Sequence, residues 1–95
     1  MIFSTARDYI NPDKKEEYFK LIFELIDSTR TEKGNISYTL YEDREHDGEF
    51  VLTEEWENED VLRTHFETEH FTRIVPQIQK LQTAPSVVNV YSKVK

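Results

Sequence analysis

Two alternating apolar runs joined by an Asp-Gly turn decide most of what this chain can become. Ile36-Ser37-Tyr38-Thr39-Leu40-Tyr41 alternates strictly and is rich in β-formers. Asp47-Gly48 is a hairpin signal, and Phe50 to Trp56 returns as the partner strand. A helical stretch flanks this hairpin on each side. Upstream, the side chain of Asn11 can accept from the free N–H groups of a first helical turn, and Pro12 lacks a donor that would be orphaned there anyway. Tyr18, Phe19, Ile22, Phe23 and Ile26 follow at helical spacing, and Gly34 is expected to end the helix as its left-handed residue. Downstream, Asn58 or Glu59 opens a stretch carrying Val61, Leu62 and Phe66. Thr68 reads as a fresh N-cap, so the helix breaks and restarts through Phe71, Ile74, Val75, Ile78 and Leu81, with Pro76 expected to kink it. Ile2 to Tyr9 supplies a first strand, and Pro85 precedes a last one, Val87 to Val94. The order β-α-β-β-α-β predicts a ferredoxin-like α+β fold with an antiparallel sheet, one domain over residues 1–95.

The expected sheet is apolar on both sides. Phe50, Leu52 and Trp56 point one way and Val51 the other, while Ile36, Tyr38 and Leu40 oppose Tyr41. Helices cover one face, so the other should be wet, yet here it is only half wet. A second sheet packed against it accounts for the pattern and predicts a homodimer. Size points the same way. A core of 95 residues buries only about two thirds of its unfolded surface, and with no cysteine neither disulfides nor a thiolate metal site can add stability.

Charge narrows the partners. Nineteen acidic against twelve basic residues give a formal charge of −7, which repels phosphate backbones and anionic lipid. Nucleic acid and membrane are therefore excluded as expected partners. No basic n-region precedes an apolar run, and no run is long enough to cross a bilayer, so a soluble cytoplasmic protein is the expectation.

Candidate chemistry concentrates in Glu54-Glu55-Trp56-Glu57-Asn58-Glu59-Asp60 and His65-Phe66-Glu67-Thr68-Glu69-His70-Phe71. Histidine titrates near neutral pH, so a pocket-facing His is a natural base, although a His in an acidic helix is ordinarily solvated or a cap. His65 and His70 stand five apart, off the spacing that aligns ligands on one helix face, and no third metal ligand is evident. No metal is expected. His46, beside the Asp47-Gly48 turn, is expected at the surface. Trp56 can stack on a planar ligand or fill the core, and Tyr38 and Tyr41 carry the same ambiguity. The acidic run Glu54 to Asp60 reads as a solvated edge with favourable charge at a helix N-terminus. There is no phosphate loop, nucleophile elbow or dinucleotide fingerprint.

Gly34-Asn35-Ile36-Ser37-Tyr38, Phe50-Val51-Leu52-Thr53-Glu54-Glu55-Trp56 and the His65–Phe71 segment together resemble the antibiotic-biosynthesis monooxygenase superfamily of dimeric α+β-barrel proteins. The resemblance runs over nearly the whole chain. The family's last segment typically reads His-x-x-Thr-Pro-His-Phe, and Glu69 replaces its Pro. The haem-degrading branch carries a second Trp where this chain has His65, a ligating His where it has Val75 and an Asn near Ala6, which argues against haem.

The resemblance implies a cofactor-free oxygenase acting on a small aromatic, quinol-type substrate. In that reading His65 is the base or anion-binding group, helped by His70, and Tyr38, Trp56, Phe66 and Phe71 form the wall. It implies equally an autoinducer-processing, isomerase-like enzyme on a small phosphorylated substrate, for which Arg63 and Arg73 are candidate cations. A lining rich in Arg or Lys would favour that alternative, and a greasy one the oxygenase. The third reading is a dimeric ligand-binding module without turnover. It requires Phe19, Phe23, Phe66 and Phe71 to fill the space between helices and sheet, with both histidines in solvent.

Overall fold

A computed structural model describes residues 1–95. Strand β1 (Ile2–Ile10) leads through a single 3-10 turn, Pro12–Lys14, into helix α1 (Lys15–Thr29). There follow β2 (Asn35–Glu42), β3 (Glu49–Trp56), α2 (Glu59–His65), α3 (Glu69–Gln79) and β4 (Gln82–Ser92). The four strands form one antiparallel sheet in the order β2-β3-β1-β4, the ferredoxin-like α+β arrangement.

Two of the expected start signals, Asn58 and Thr68, open α-helices, whereas Asn11 caps the 3-10 turn and α1 itself begins at Lys15 without a side-chain cap. Asn11 accepts from the Asp13 N–H, Asn58 caps α2 by accepting from Val61, and Thr68 caps α3 by accepting from Phe71. Helix α3 continues through Pro76 to Gln79. The buried positions of α1, Tyr18, Ile22, Leu25, Ile26 and Thr29, recur at helical spacing and face the sheet. Strand β3 alternates strictly, with Phe50, Leu52, Glu54 and Trp56 buried against the helices.

Three expectations are corrected. Helix α1 ends at Thr29, not at Gly34. Gly34, at φ +89°, serves instead in the turn back to β2, where a β-carbon would sit 2.7 Å from the Val61 side chain. Ile36 does not share the inner face with Tyr38, because Asn35 pairs with Trp56 and Ser37 with Glu55. Ile36 is the extra residue of a bulge and is 52% exposed. Strand β4 begins at Gln82, so Pro85 lies inside it. An edge strand tolerates proline because only one side of it is hydrogen-bonded.

Strand β4 also overhangs the helices. Its Val88 and Val90 pair with Ala6 and Ser4, on the helix side of the sheet, yet they are 53% and 52% exposed. On the opposite face Val87, Tyr91 and Tyr41 are exposed as well. No helix is long and apolar enough to cross a membrane.

Candidate functional site

The site is assembled at the break between α2 and α3. Helix α2 starts on the Asn58 cap and lasts only to His65. The Thr68 hydroxyl then donates to the His65 carbonyl at 2.8 Å and accepts from the Phe71 N–H at 3.3 Å, which fixes the bend. Glu69 opens α3, where a negative side chain suits the helix dipole. The bend brings the His65 and His70 rings to a centroid distance of 6.3 Å, which five-residue spacing on a straight helix would not.

A carboxylate from elsewhere ties the two together. Glu32, in the turn after α1, places Oε2 at 2.7 Å from His65 Nδ1 and 2.6 Å from His70 Nε2. A carboxylate only accepts, so each of those nitrogens donates a proton, and Nε2 of His65 is left as the acceptor. His65 is 1% exposed. Burial lowers its pKa below the ordinary histidine value, against an opposing pull from Glu32, so the ring is neutral at pH 7. It sits among Trp56, Phe71, Tyr38 and Phe66, with centroids at 4.8, 5.0, 5.6 and 5.6 Å.

Glu32, His65 and His70 also offer three potential metal-ligand atoms close together. The contacts of 2.6 and 2.7 Å are those of charge-assisted hydrogen bonds.

Beside this cluster lies a cavity of ≈ 260 Å³ between sheet and helices. That is near the lower end of ligand-pocket volumes, about 300–1,000 Å³, and suits one small ring system. Tyr38, His65, Phe66 and Phe71 line it together with aliphatic residues of the sheet and helices. Two residues expected at the wall are elsewhere. Trp56 is 0% exposed and lies outside the lining, in the core behind it, and His70 stands behind His65 on Glu32. No Lys or Arg lines the cavity. Arg63 pairs with Asp60 and Glu59, and Arg73 with Glu24 and Glu69, all on the exterior. Phe19 and Phe23 stack on each other at 5.4 Å, and Phe23 is exposed, so they do not fill the space. His46 is at the surface beside Asp43.

Two carboxyls, neither expected at the site, also line the cavity. Asp8 on β1 accepts from the Tyr18 hydroxyl at 2.7 Å and from the Ser86 hydroxyl at 2.6 Å. Burial and the nearby Asp8 carboxylate push the Tyr18 phenol upward. Glu54 was expected on a solvated edge. That holds for Glu57, Glu59 and Asp60, but Glu54 is buried in the lining, where its Oε1 accepts the Trp56 indole N–H at 3.1 Å. Parity was the available signal: Glu54 falls on the face set by Phe50, Leu52 and Trp56.

Burial raises the Glu54 pKa from 4.5 to about 7, with hydrogen bonds from Trp56 and Ser4 pulling the other way. Between those values the folded protein holds a proton that the unfolded chain has lost. Stability therefore falls as pH rises from 4.5 through about 7. The complete loss amounts to about 3 kcal/mol. Glu54→Gln cannot lose that proton, so urea melts should find it gaining up to about that much on wild type between pH 4.5 and 8. A stability difference that ignores pH would refute the assignment.

Comparison with known proteins agrees with this architecture. The sequence model described as antibiotic biosynthesis monooxygenase matches residues 1–77. The Synechocystis protein sll1783 is 38% identical over 82 residues, covering 86% of this chain, which spans only 56% of that protein's length. The Bacillus subtilis protein named "Putative monooxygenase YcnE" is 34% identical over 85 residues, 90% of each chain. The Escherichia coli isomerase of (4S)-4-hydroxy-5-phosphonooxypentane-2,3-dione is 25% identical over 76 residues, 80% of this chain and 79% of its own. Among solved structures, one described as an antibiotic biosynthesis monooxygenase superposes over 100% of both chains with a TM-score of 0.96 and 36% identity.

Proposed function

We propose, from the premise that this chain belongs to the antibiotic biosynthesis monooxygenase family, that its cavity oxidises a small electron-rich aromatic, of quinol type, with O₂ and no cofactor. The observation that carries this reading is His65, anchored on Glu32, in a mostly apolar lining without Lys or Arg. His65 Nε2 takes the proton of a ring hydroxyl. The resulting anion passes one electron to O₂, and the two radicals combine into a carbon-bound peroxide that takes up the proton. Loss of the ring hydrogen with cleavage of the O–O bond then releases water and leaves a carbonyl. For a phenol the balance is ArOH plus O₂ giving a quinone and water. An apolar site favours the step by keeping bulk water from the anion.

The test is O₂ uptake with a panel of hydroquinones, measured above the enzyme-free rate. Wild type should exceed that background with at least one of them, and a whole panel at background would sink the reading. An isomerase acting on a phosphorylated dione is the alternative suggested by the Escherichia coli relative. A phosphate needs cationic partners, and Arg63 and Arg73 are engaged outside the cavity.

We propose further that two copies pair through the sheet face opposite the helices, where Val87, Tyr91 and Tyr41 are bare. Sedimentation at micromolar concentration should give twice the monomer mass. A monomer under those conditions would overturn the pairing.

A further inference from the structure

Two carboxyls share the cavity, and they are not equivalent. Asp8 has both oxygens committed, Oδ2 to the Tyr18 hydroxyl and Oδ1 to the Ser86 hydroxyl. Those contacts brace α1, β1 and β4 and leave Asp8 as a fixed acceptor. Glu54 is different. It accepts from the Trp56 N–H and from Ser4, directly across the β1–β3 ladder, and through Trp56 it stands next to the base rather than bracing neighbouring elements. A carboxyl has about four lone-pair positions, so Glu54 keeps hydrogen-bonding capacity toward the cavity that it lines.

Trp56 links Glu54 to the base. Its indole N–H is bound to Glu54, and its ring lies 4.8 Å from that of His65. Trp56 takes no part in the lining, so it acts through the two groups it holds. His65 and Glu54 therefore reach the same small cavity, each steadied by the same fully buried ring.

We propose that Glu54 is a second acid–base group of this site, one that exchanges a proton with the second ring hydroxyl of the quinol-type substrate. The inference rests on the reading of the cavity as a site for an electron-rich aromatic. Trp56 is its positioning residue. A phosphorylated or carboxylated ligand would meet two acidic groups here, so the substrate is neutral when it binds. The titratable groups around Glu54 are Asp8 on β1, Tyr38 on β2, Glu32 in the α1–β2 turn and His65 at the end of α2. The polar groups that α3 and β4 bring to the lining, Gln79, Gln82 and Ser86, are uncharged. Burial keeps Glu54 near its midpoint at about neutral pH, which suits a group that both donates and accepts.

The experiment separates this inference from the oxygenase reading by using a ligand that does not turn over. Carboxyl ¹³C NMR of glutamate-labelled protein should show one buried resonance titrating near 7, absent from Glu54→Gln and moved to higher pH in Trp56→Phe, which loses the N–H that favours the carboxylate. Resorcinol, a dihydroxyarene slow to oxidise, should bind wild type roughly tenfold more tightly than phenol, as one added hydrogen bond allows. Glu54→Leu should abolish that preference while still binding phenol. If the ordinary carboxylate titration appears at Glu54, or if resorcinol and phenol bind equally to wild type, the inference falls. Should O₂ uptake fail while resorcinol is still preferred through Glu54, the oxygenase reading falls and the Glu54 site stands.

Discussion

Replacing His65 with alanine should lower enzyme-dependent O₂ uptake at least about a hundredfold, the range in which a lost general base is ordinarily felt. The reason lies in how the ring is held. Glu32 fixes the proton on Nδ1, so the bare lone pair is on Nε2, and burial keeps the imidazole neutral when substrate arrives. Alanine removes that lone pair and leaves a ring-shaped void among Tyr38, Trp56, Phe66 and Phe71. Exogenous imidazole can enter such a void, so partial rescue at millimolar imidazole should distinguish lost chemistry from lost structure. Wild-type rates in His65→Ala would remove His65 from the mechanism. The companion change, Glu32→Gln, keeps the size of the side chain but removes the charge that raises the His65 pKa. The acid limb of the pH–rate profile should then move to lower pH, with kcat reduced about tenfold and KM little altered. An unchanged profile would show that Glu32 does not set the state of the base.

Trp56→Ala should cost about 3–5 kcal/mol of stability. Trp56 is fully buried, packs on Tyr38 and His65, and donates to Glu54, so alanine opens a cavity and strips a buried carboxyl of a donor. In a domain of this size each kcal/mol moves Tm by about 4–8 °C, so a drop of at least about 12 °C is expected in a thermal melt. Trp56→Phe retains most of the packing and should cost much less. Equal costs for the two variants would mean that the indole N–H, not the ring, supplies the stability.

The parts of the structure that could be read from the sequence are those fixed by neighbouring residues. Asn58 and Thr68 cap the helices they were expected to cap, because a capping side chain reaches only two or three residues along its own chain. The hairpin over Asp47-Gly48 follows the same local logic, with Gly48 at φ +83°. Long-range pairings were hidden. Glu32 meets His65 across 33 residues and His70 across 38, and nothing in the α1–β2 turn marks that glutamate out. Asp8 looked like any polar residue of a mixed first strand until Tyr18 and Ser86 closed on it. Pro85 marks a strand boundary everywhere except at a sheet edge, and whether β4 lies at an edge is decided by topology alone. Glu54 is legible by parity. The alternation that sends Glu55 outward sends Glu54 inward, a distinction that the acidic character of the run as a whole conceals.

The turn that carries Glu32 also holds Gly34, pressed against Val61 of α2 with no room for a methyl group. His65 closes that same short helix. Anyone diversifying this scaffold, whether evolution or an engineer, therefore inherits a silent veto at position 34. Even alanine there would act as a wedge, prising the helix that ends in the imidazole away from the loop that bears its anionic partner. Variation in what the protein accepts is free to accumulate around the rim, while this one hydrogen-sized gap stays closed to change.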